Sequence, residues 1–125
     1  MELIIGGAFQ GKLDYARTKY SLDDTDIFIC GENGGIDFTK RCVAKLDEFV
    51  LWCVRNGEDA VELFKAHSGE IRGSVFICRD IFCGVVPIDA EMRAWREATG
   101  RLCAYLSGEA ENVTRIFCGL AQILK

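Results

Sequence analysis

The sequence predicts an α/β fold, in which a mainly parallel β-sheet is covered by helices on both faces. Short apolar runs alternate with helical patterns along the chain. The runs are continuously apolar, which is typical of strands buried on both faces, as in a parallel sheet. With 125 residues, half of them hydrophobic, the chain can build one core, and we expect a single domain over residues 1–125.

Four apolar runs are the predicted strands of this sheet, and they are rich in β-branched and aromatic residues. The runs cover residues 3–5, 26–31, 74–78 and 113–119. The final segment, residues 120–125, is predicted to add an edge strand or a hairpin partner.

Helical patterns separate the predicted strands. They cover residues 13–20, residues 43–54 before a stop at Asn56 and Gly57, and residues 59–67. The longest predicted helix begins at Pro87 or Asp89 and continues to Leu106. Asp89 is its predicted N-cap, and Ser107 and Gly108 are predicted to end it.

The segment between the first strand and the first helix has the spacing of a phosphate-binding loop, Gly-x-x-x-x-Gly-Lys. Glycine allows the backbone to turn tightly and to direct its N–H groups at phosphate oxygens. Lys12, the candidate catalytic residue, would add a positive charge between the outer phosphates. The candidate nucleotide-binding residues are Gly6, Gly7, Ala8, Phe9, Gln10, Gly11, Lys12 and Leu13.

The loop departs from the full motif at Leu13, where a Ser or Thr hydroxyl would ligate magnesium. A glycine-rich turn that binds nothing is therefore the alternative. If phosphates do bind, a second strand should end in a carboxylate that holds Mg²⁺ through water, and Asp80 follows the third run in that way. The alternative for Asp80 is a turn residue that bonds its own backbone.

Composition argues against several classes of function. The net charge is −4 and no basic run occurs, so a nucleic-acid partner is not expected. Because no apolar stretch reaches the length of a membrane span and no signal-peptide pattern occurs, we expect a cytoplasmic protein without a membrane partner. The seven cysteines form no C-x-x-C pair and are interpreted mainly as small buried thiols. His67 has no nearby cysteine to form a ligand cluster.

Further segments of the chain have a more specific pattern. They are Gly84-Val85-Val86-Pro87, then Arg93 with Trp95-Arg96-Glu97-Ala98-Thr99-Gly100-Arg101-Leu102, and the closing Phe117-Cys118-Gly119-Leu120. Together with the Gly6–Lys12 loop, these segments resemble the bifunctional adenosylcobinamide kinase / adenosylcobinamide-phosphate guanylyltransferase family of cobalamin biosynthesis.

This resemblance implies a RecA-like P-loop fold and a homo-oligomer. It also implies phosphorylation of a corrinoid, adenosylcobinamide, by GTP or ATP with Mg²⁺, followed by GMP transfer through a histidine. The chain is shorter than members of that family and has no counterpart of the guanylylated histidine. His67 does not match it, so guanylyl transfer is not expected.

Two functions remain open. One is a cobinamide kinase-like enzyme that uses Lys12 and the loop for phosphoryl transfer. The other is a non-catalytic relative that keeps the fold as a nucleotide-binding or regulatory protein. Retention of Gly6, Gly11 and Lys12 favours the first function, whereas Leu13 and the missing histidine favour the second.

Overall fold

The structure is a computed structural model, and it describes residues 1–8, 10–81 and 89–125. Phe9 of the loop lies outside the described residues. The same holds for residues 82–88, which include Cys83, the Gly84–Pro87 segment of the resemblance, and the earlier of the two predicted starts of the longest helix.

The described residues form one six-stranded sheet with the strand order β2-β3-β4-β1-β5-β6. Every neighbouring pair is parallel except β5 and β6, which form an antiparallel hairpin. The strands are β1 (Glu2–Gly6), β2 (Ile27–Ile29), β3 (Cys42–Ala44), β4 (Val75–Arg79), β5 (Asn112–Phe117) and β6 (Leu120–Ile123). The predicted α/β class with a mainly parallel sheet is confirmed, and so is the hairpin partner near the end of the chain.

Helices cover both faces of the sheet, as predicted. They are α1 (Lys12–Tyr20), α2 (Leu46–Arg55), α3 (Ala60–Ala66) and α4 (Ala90–Glu109). Helix α1 packs through Ala16 on the face that contains Ile4 and Ile77, and the other three helices pack on the opposite face. The N-cap prediction for Asp89 is confirmed, because its carboxylate accepts a hydrogen bond from the Met92 N–H. Helix α4 continues past Ser107 and Gly108, where its end was predicted.

The prediction of one helix over residues 43–54 is wrong at its start. The segment Cys42–Ala44 is instead strand β3, which is paired with β2 on one side and β4 on the other. Lys45 then takes a left-handed conformation, with φ at 56°, and α2 begins at Leu46. A short run that is buried on both faces has no periodicity to distinguish it from a helix, so only its pairing decides.

The larger core lies between the sheet and helices α2–α4, and aromatic rings form its centre. Phe64 is fully buried and contacts three other rings edge-on, with centroid distances of 5.1 Å to Phe38, 6.0 Å to Phe49 and 5.2 Å to Phe76. Such contacts stabilise a core beyond the area that they bury. This core fixes α2 and α4 against the strands whose ends form the site described below.

Most of the cysteines belong to these cores, as predicted. Burial raises the pKa of the Cys30 thiol to about 12 and the pKa of Cys42 and Cys53 to about 11. Among the described cysteines only Cys118 is exposed, and it lies in the turn between β5 and β6. The described residues contain no group of three or more His, Cys, Asp or Glu side chains placed to hold a metal ion.

Among the described residues, the most exposed large apolar side chains lie on the β5–β6 hairpin, where Phe117, Leu120 and Ile123 are each at least 60% exposed. Over the part of the chain that is described, no helix combines the length and the apolar character needed to cross a membrane.

Candidate phosphate-binding site

The loop after β1 lies at a position where open α/β sheets bind ligands. Strands β1 and β4 are neighbours, but the helices that follow them, α1 and α4, pack on opposite faces of the sheet. Opposite crossovers from adjacent strands leave a crevice at the carboxyl ends of the strands. The loop follows β1 at this edge, and Asp80 follows β4 beside it.

The backbone of the loop leaves several N–H groups available to a ligand. Gly11 is left-handed, with φ at 85°, and is the N-cap of α1 without a side-chain cap. The backbone N–H groups of Ala8, Gln10, Gly11 and Lys12 donate no hydrogen bond to another described residue. Unpaired N–H groups at the start of a helix attract anions, because the positive end of the helix dipole adds to their own partial charges.

Lys12 crosses the loop, and its ammonium donates a hydrogen bond to the Gly7 carbonyl at 2.5 Å. Partial burial lowers the pKa of Lys12 from its ordinary value of 10.5, while the nearby carboxylates of Asp47 and Asp80 act in the opposite direction. A partly desolvated ammonium gains more from an incoming phosphate than a fully hydrated one does.

Gly6 is required for a different reason from the one that the motif suggests. It is the last residue of β1, and a methyl group there would lie 2.5 Å from the Ile116 carbonyl oxygen on β5. Gly7 has room, since a methyl group would meet the Gln10 Cγ at 3.6 Å. Close packing of two strands therefore fixes the first glycine of the motif.

We expect Gly6→Ala to lower the free energy of unfolding by about 2 kcal/mol, because the backbone of β5 must move away. The matched substitution Gly7→Ala should stay within about 0.5 kcal/mol of wild type. Urea denaturation of the two variants measures both changes. Equal stabilities would show that the contact between β1 and β5 does not limit position 6.

The loop forms one wall of a cleft of about 560 Å³. Apolar side chains of three strands, Ile29, Ala44 and Ile77, lie beside the charged side chains. A cleft of this size suits a small-molecule ligand that has both polar and apolar parts. The lining residues are Ala8, Gln10, Gly11, Lys12, Leu13, Asp14, Ile29, Ala44, Lys45, Asp47, Glu48, Ile77 and Arg79.

Two of the lining residues, Asp47 and Arg79, form an ion pair that the sequence did not single out, with a buried carboxylate and a guanidinium side chain that is 38% exposed. Asp47 is 3% exposed, accepts a hydrogen bond from the Arg79 N–H at 3.1 Å and pairs with the Arg79 guanidinium at 3.4 Å. Trp95 holds both partners, because its indole N–H bonds the Asp47 carbonyl at 2.8 Å and its ring faces the guanidinium at 5.6 Å. The sequence pattern did not reveal strand β3, and it is the carboxyl end of β3 that brings Asp47 to this edge of the sheet.

Asp80, the candidate magnesium residue, follows β4 next to the loop. Its N–H donates to the Gly6 carbonyl at 3.1 Å, and its carboxylate lies beside Gly7. Leu13, in contrast, packs against the apolar cluster under α1 and offers no oxygen. Mg²⁺ keeps several waters and often takes one carboxylate together with substrate phosphates. Asp80 would fit an ion that is held largely by water and substrate.

His67 is separate from this cleft. It ends α3, its ring stacks on Phe38 at 4.2 Å, and its Nδ1 lies 3.2 Å from a Glu70 carboxylate oxygen. These contacts indicate that His67 packs against Phe38 at the end of α3.

Comparison of the chain with models of known protein families gave no match, and comparison with curated proteins gave none either.

Proposed function

We propose that this chain binds the polyphosphate of GTP or ATP at the loop formed by Gly6–Ala8 and Gln10–Leu13, as a P-loop protein with a RecA-like fold. The proposal rests on the N–H groups around the left-handed Gly11, which donate to no other described residue, and on the Lys12 ammonium across the same loop. The ammonium bonds the Gly7 carbonyl, a neutral acceptor that a charged phosphate oxygen would replace.

For the activity we propose a cobinamide kinase-like phosphoryl transfer, on the strength of the family resemblance. Phosphoryl transfer asks a protein mainly to position the reactants and to stabilise charge on the transferred group. Lys12 and the loop amides would do both. Mg²⁺, when bound, would add charge stabilisation between the phosphates, with Asp80 as the residue that holds its water shell. The apolar strand ends Ile29 and Ala44 would face the acceptor, which we propose is a corrinoid.

A non-catalytic nucleotide-binding relative is the second candidate, and Leu13 favours it. Its side chain is part of the apolar contact between α1 and the sheet, so the missing hydroxyl is not supplied at that position. Binding could persist without this ligand, because the amides and Lys12 do not depend on the metal.

We expect saturating GTP or ATP to raise the midpoint of thermal unfolding. At a concentration of about 100 times Kd, mass action adds roughly 2.7 kcal/mol, which corresponds to several degrees for a domain of this size. Measuring the shift with Mg²⁺ and with EDTA separates the candidates. A shift that EDTA removes supports the kinase, and a shift that persists supports the non-catalytic relative. The absence of any shift at saturating nucleotide would contradict both.

Self-association remains part of the proposal. The exposed apolar side chains of the β5–β6 hairpin are compatible with a homo-oligomer, since contiguous apolar surface often marks an interface. Light scattering of the purified chain measures its mass in solution directly.

A further inference from the structure

The phosphate loop is joined to the far end of the chain through Gln10. The Gln10 carbonyl accepts a hydrogen bond from the Gly119 N–H at 3.1 Å, and its side-chain Oε1 accepts one from the Cys118 N–H. Two consecutive amides of the β5–β6 turn thus hold one residue in the middle of the loop.

The turn has the conformation that makes these amides available. Cys118 and Gly119 both have positive φ, 51° and 76°, and Phe117 pairs with Leu120 across the hairpin. Two-residue hairpin turns of this kind leave the N–H groups of their central residues outside the strand ladder. Positive φ is uncommon for a residue with a side chain, and here it occurs at Cys118, which contacts the loop.

The same contacts constrain the shape of the loop. The Gln10 carbonyl oxygen bonds the hairpin. It therefore points away from the proposed phosphate site, where an anion would repel it. Gly11, next in sequence, has a left-handed conformation. A methyl group added to it would lie 3.9 Å from the Gly119 Cα. In this conformation the N–H groups of Gly11 and Lys12 donate no hydrogen bond to another described residue.

We propose that the β5–β6 turn holds the loop in its anion-binding shape, with Gln10 as the positioning residue, so that phosphate binding and ordering of the hairpin are coupled. This inference rests on the proposed function of the loop. It assigns the hairpin a role in binding, although the hairpin supplies no ligand to the phosphates.

The test compares Gln10→Ala with Gln122→Ala, an identical change at an exposed position of β6 away from the turn. The probes are inorganic tripolyphosphate and GTP, and the measurements are Kd by calorimetry and amide hydrogen exchange by NMR. We expect Gln10→Ala to raise Kd for both probes about tenfold and to speed exchange at Cys118 in the free protein, because it removes the acceptor of that amide. The Gly119 N–H keeps its acceptor, the backbone carbonyl of residue 10, and should change less. In wild type, saturating tripolyphosphate should slow exchange at the same two amides. Gln122→Ala should change neither quantity.

The outcomes separate the coupling from the proposed function. If wild type binds the probes and Gln10→Ala binds them equally well, the coupling is wrong while the function stands. Faster exchange in that variant, with unchanged Kd, would make the Gln10 contact purely structural and would also overturn the coupling. If neither probe binds wild type, the proposed function itself fails, and the coupling fails with it.

Discussion

Replacement of Lys12 by alanine is expected to remove almost all of the thermal shift that nucleotide produces. The Lys12 ammonium is the one charged group of the loop, and it bonds the Gly7 carbonyl across the loop. Loss of a charged contact to phosphate costs roughly 3 kcal/mol, or about a 100-fold rise in Kd. At a nucleotide concentration of about 100 times the wild-type Kd, the stabilisation would then fall from roughly 2.7 to about 0.4 kcal/mol.

The stability of the free protein provides an internal check on this variant. Burial disfavours the charged form of Lys12, which is why its pKa is lowered, so its removal should change the free energy of unfolding little. Lys19→Ala is the matched control, because it removes the same charge from the exposed last turn of α1. Lys19→Ala should keep the full shift. An undiminished shift in Lys12→Ala would place the nucleotide elsewhere on the protein.

The parts of the fold and site that could be predicted are those encoded locally. The spacing of Gly6, Gly11 and Lys12 lies within one turn between a strand and a helix, and the Asp89 cap acts on an amide three residues away. Periodicity and turn residues report such features, because the interacting groups are close in sequence. The role of the loop in binding remains a prediction.

The features that could not be predicted depend on contacts between distant residues. Strand β3 is defined by its two neighbours in the sheet, and its assignment is what brings Asp47 to the cleft. The Gln10 contact joins residues 108 positions apart, and the Asp47 contact to Arg79 spans 32. The glycine requirement at Gly6 comes from β5, which no local pattern contains.

Replacement of Asp47 by alanine is expected to lower the free energy of unfolding by about 2 kcal/mol. The substitution leaves the Arg79 N–H without its acceptor and removes the buried carboxylate that pairs with the partly exposed guanidinium. The Trp95 bond survives, because it uses the Asp47 backbone carbonyl. Urea denaturation with a constant slope measures the change.

Asp24→Ala is the control that separates burial from distance. Asp24 pairs with Arg17 at 2.7 Å, closer than the 3.4 Å of the Asp47 pair, but its side chain is 88% exposed. Water screens an exposed pair, so this substitution should cost less than about 1 kcal/mol. If the two variants lose equal stability, the Asp47–Arg79 pair behaves as a surface ion pair, and the carboxyl ends of β3 and β4 are not held together by it. A large difference would show that these strand ends, which line the cleft next to Lys12, are fixed by a buried charge rather than by apolar packing alone.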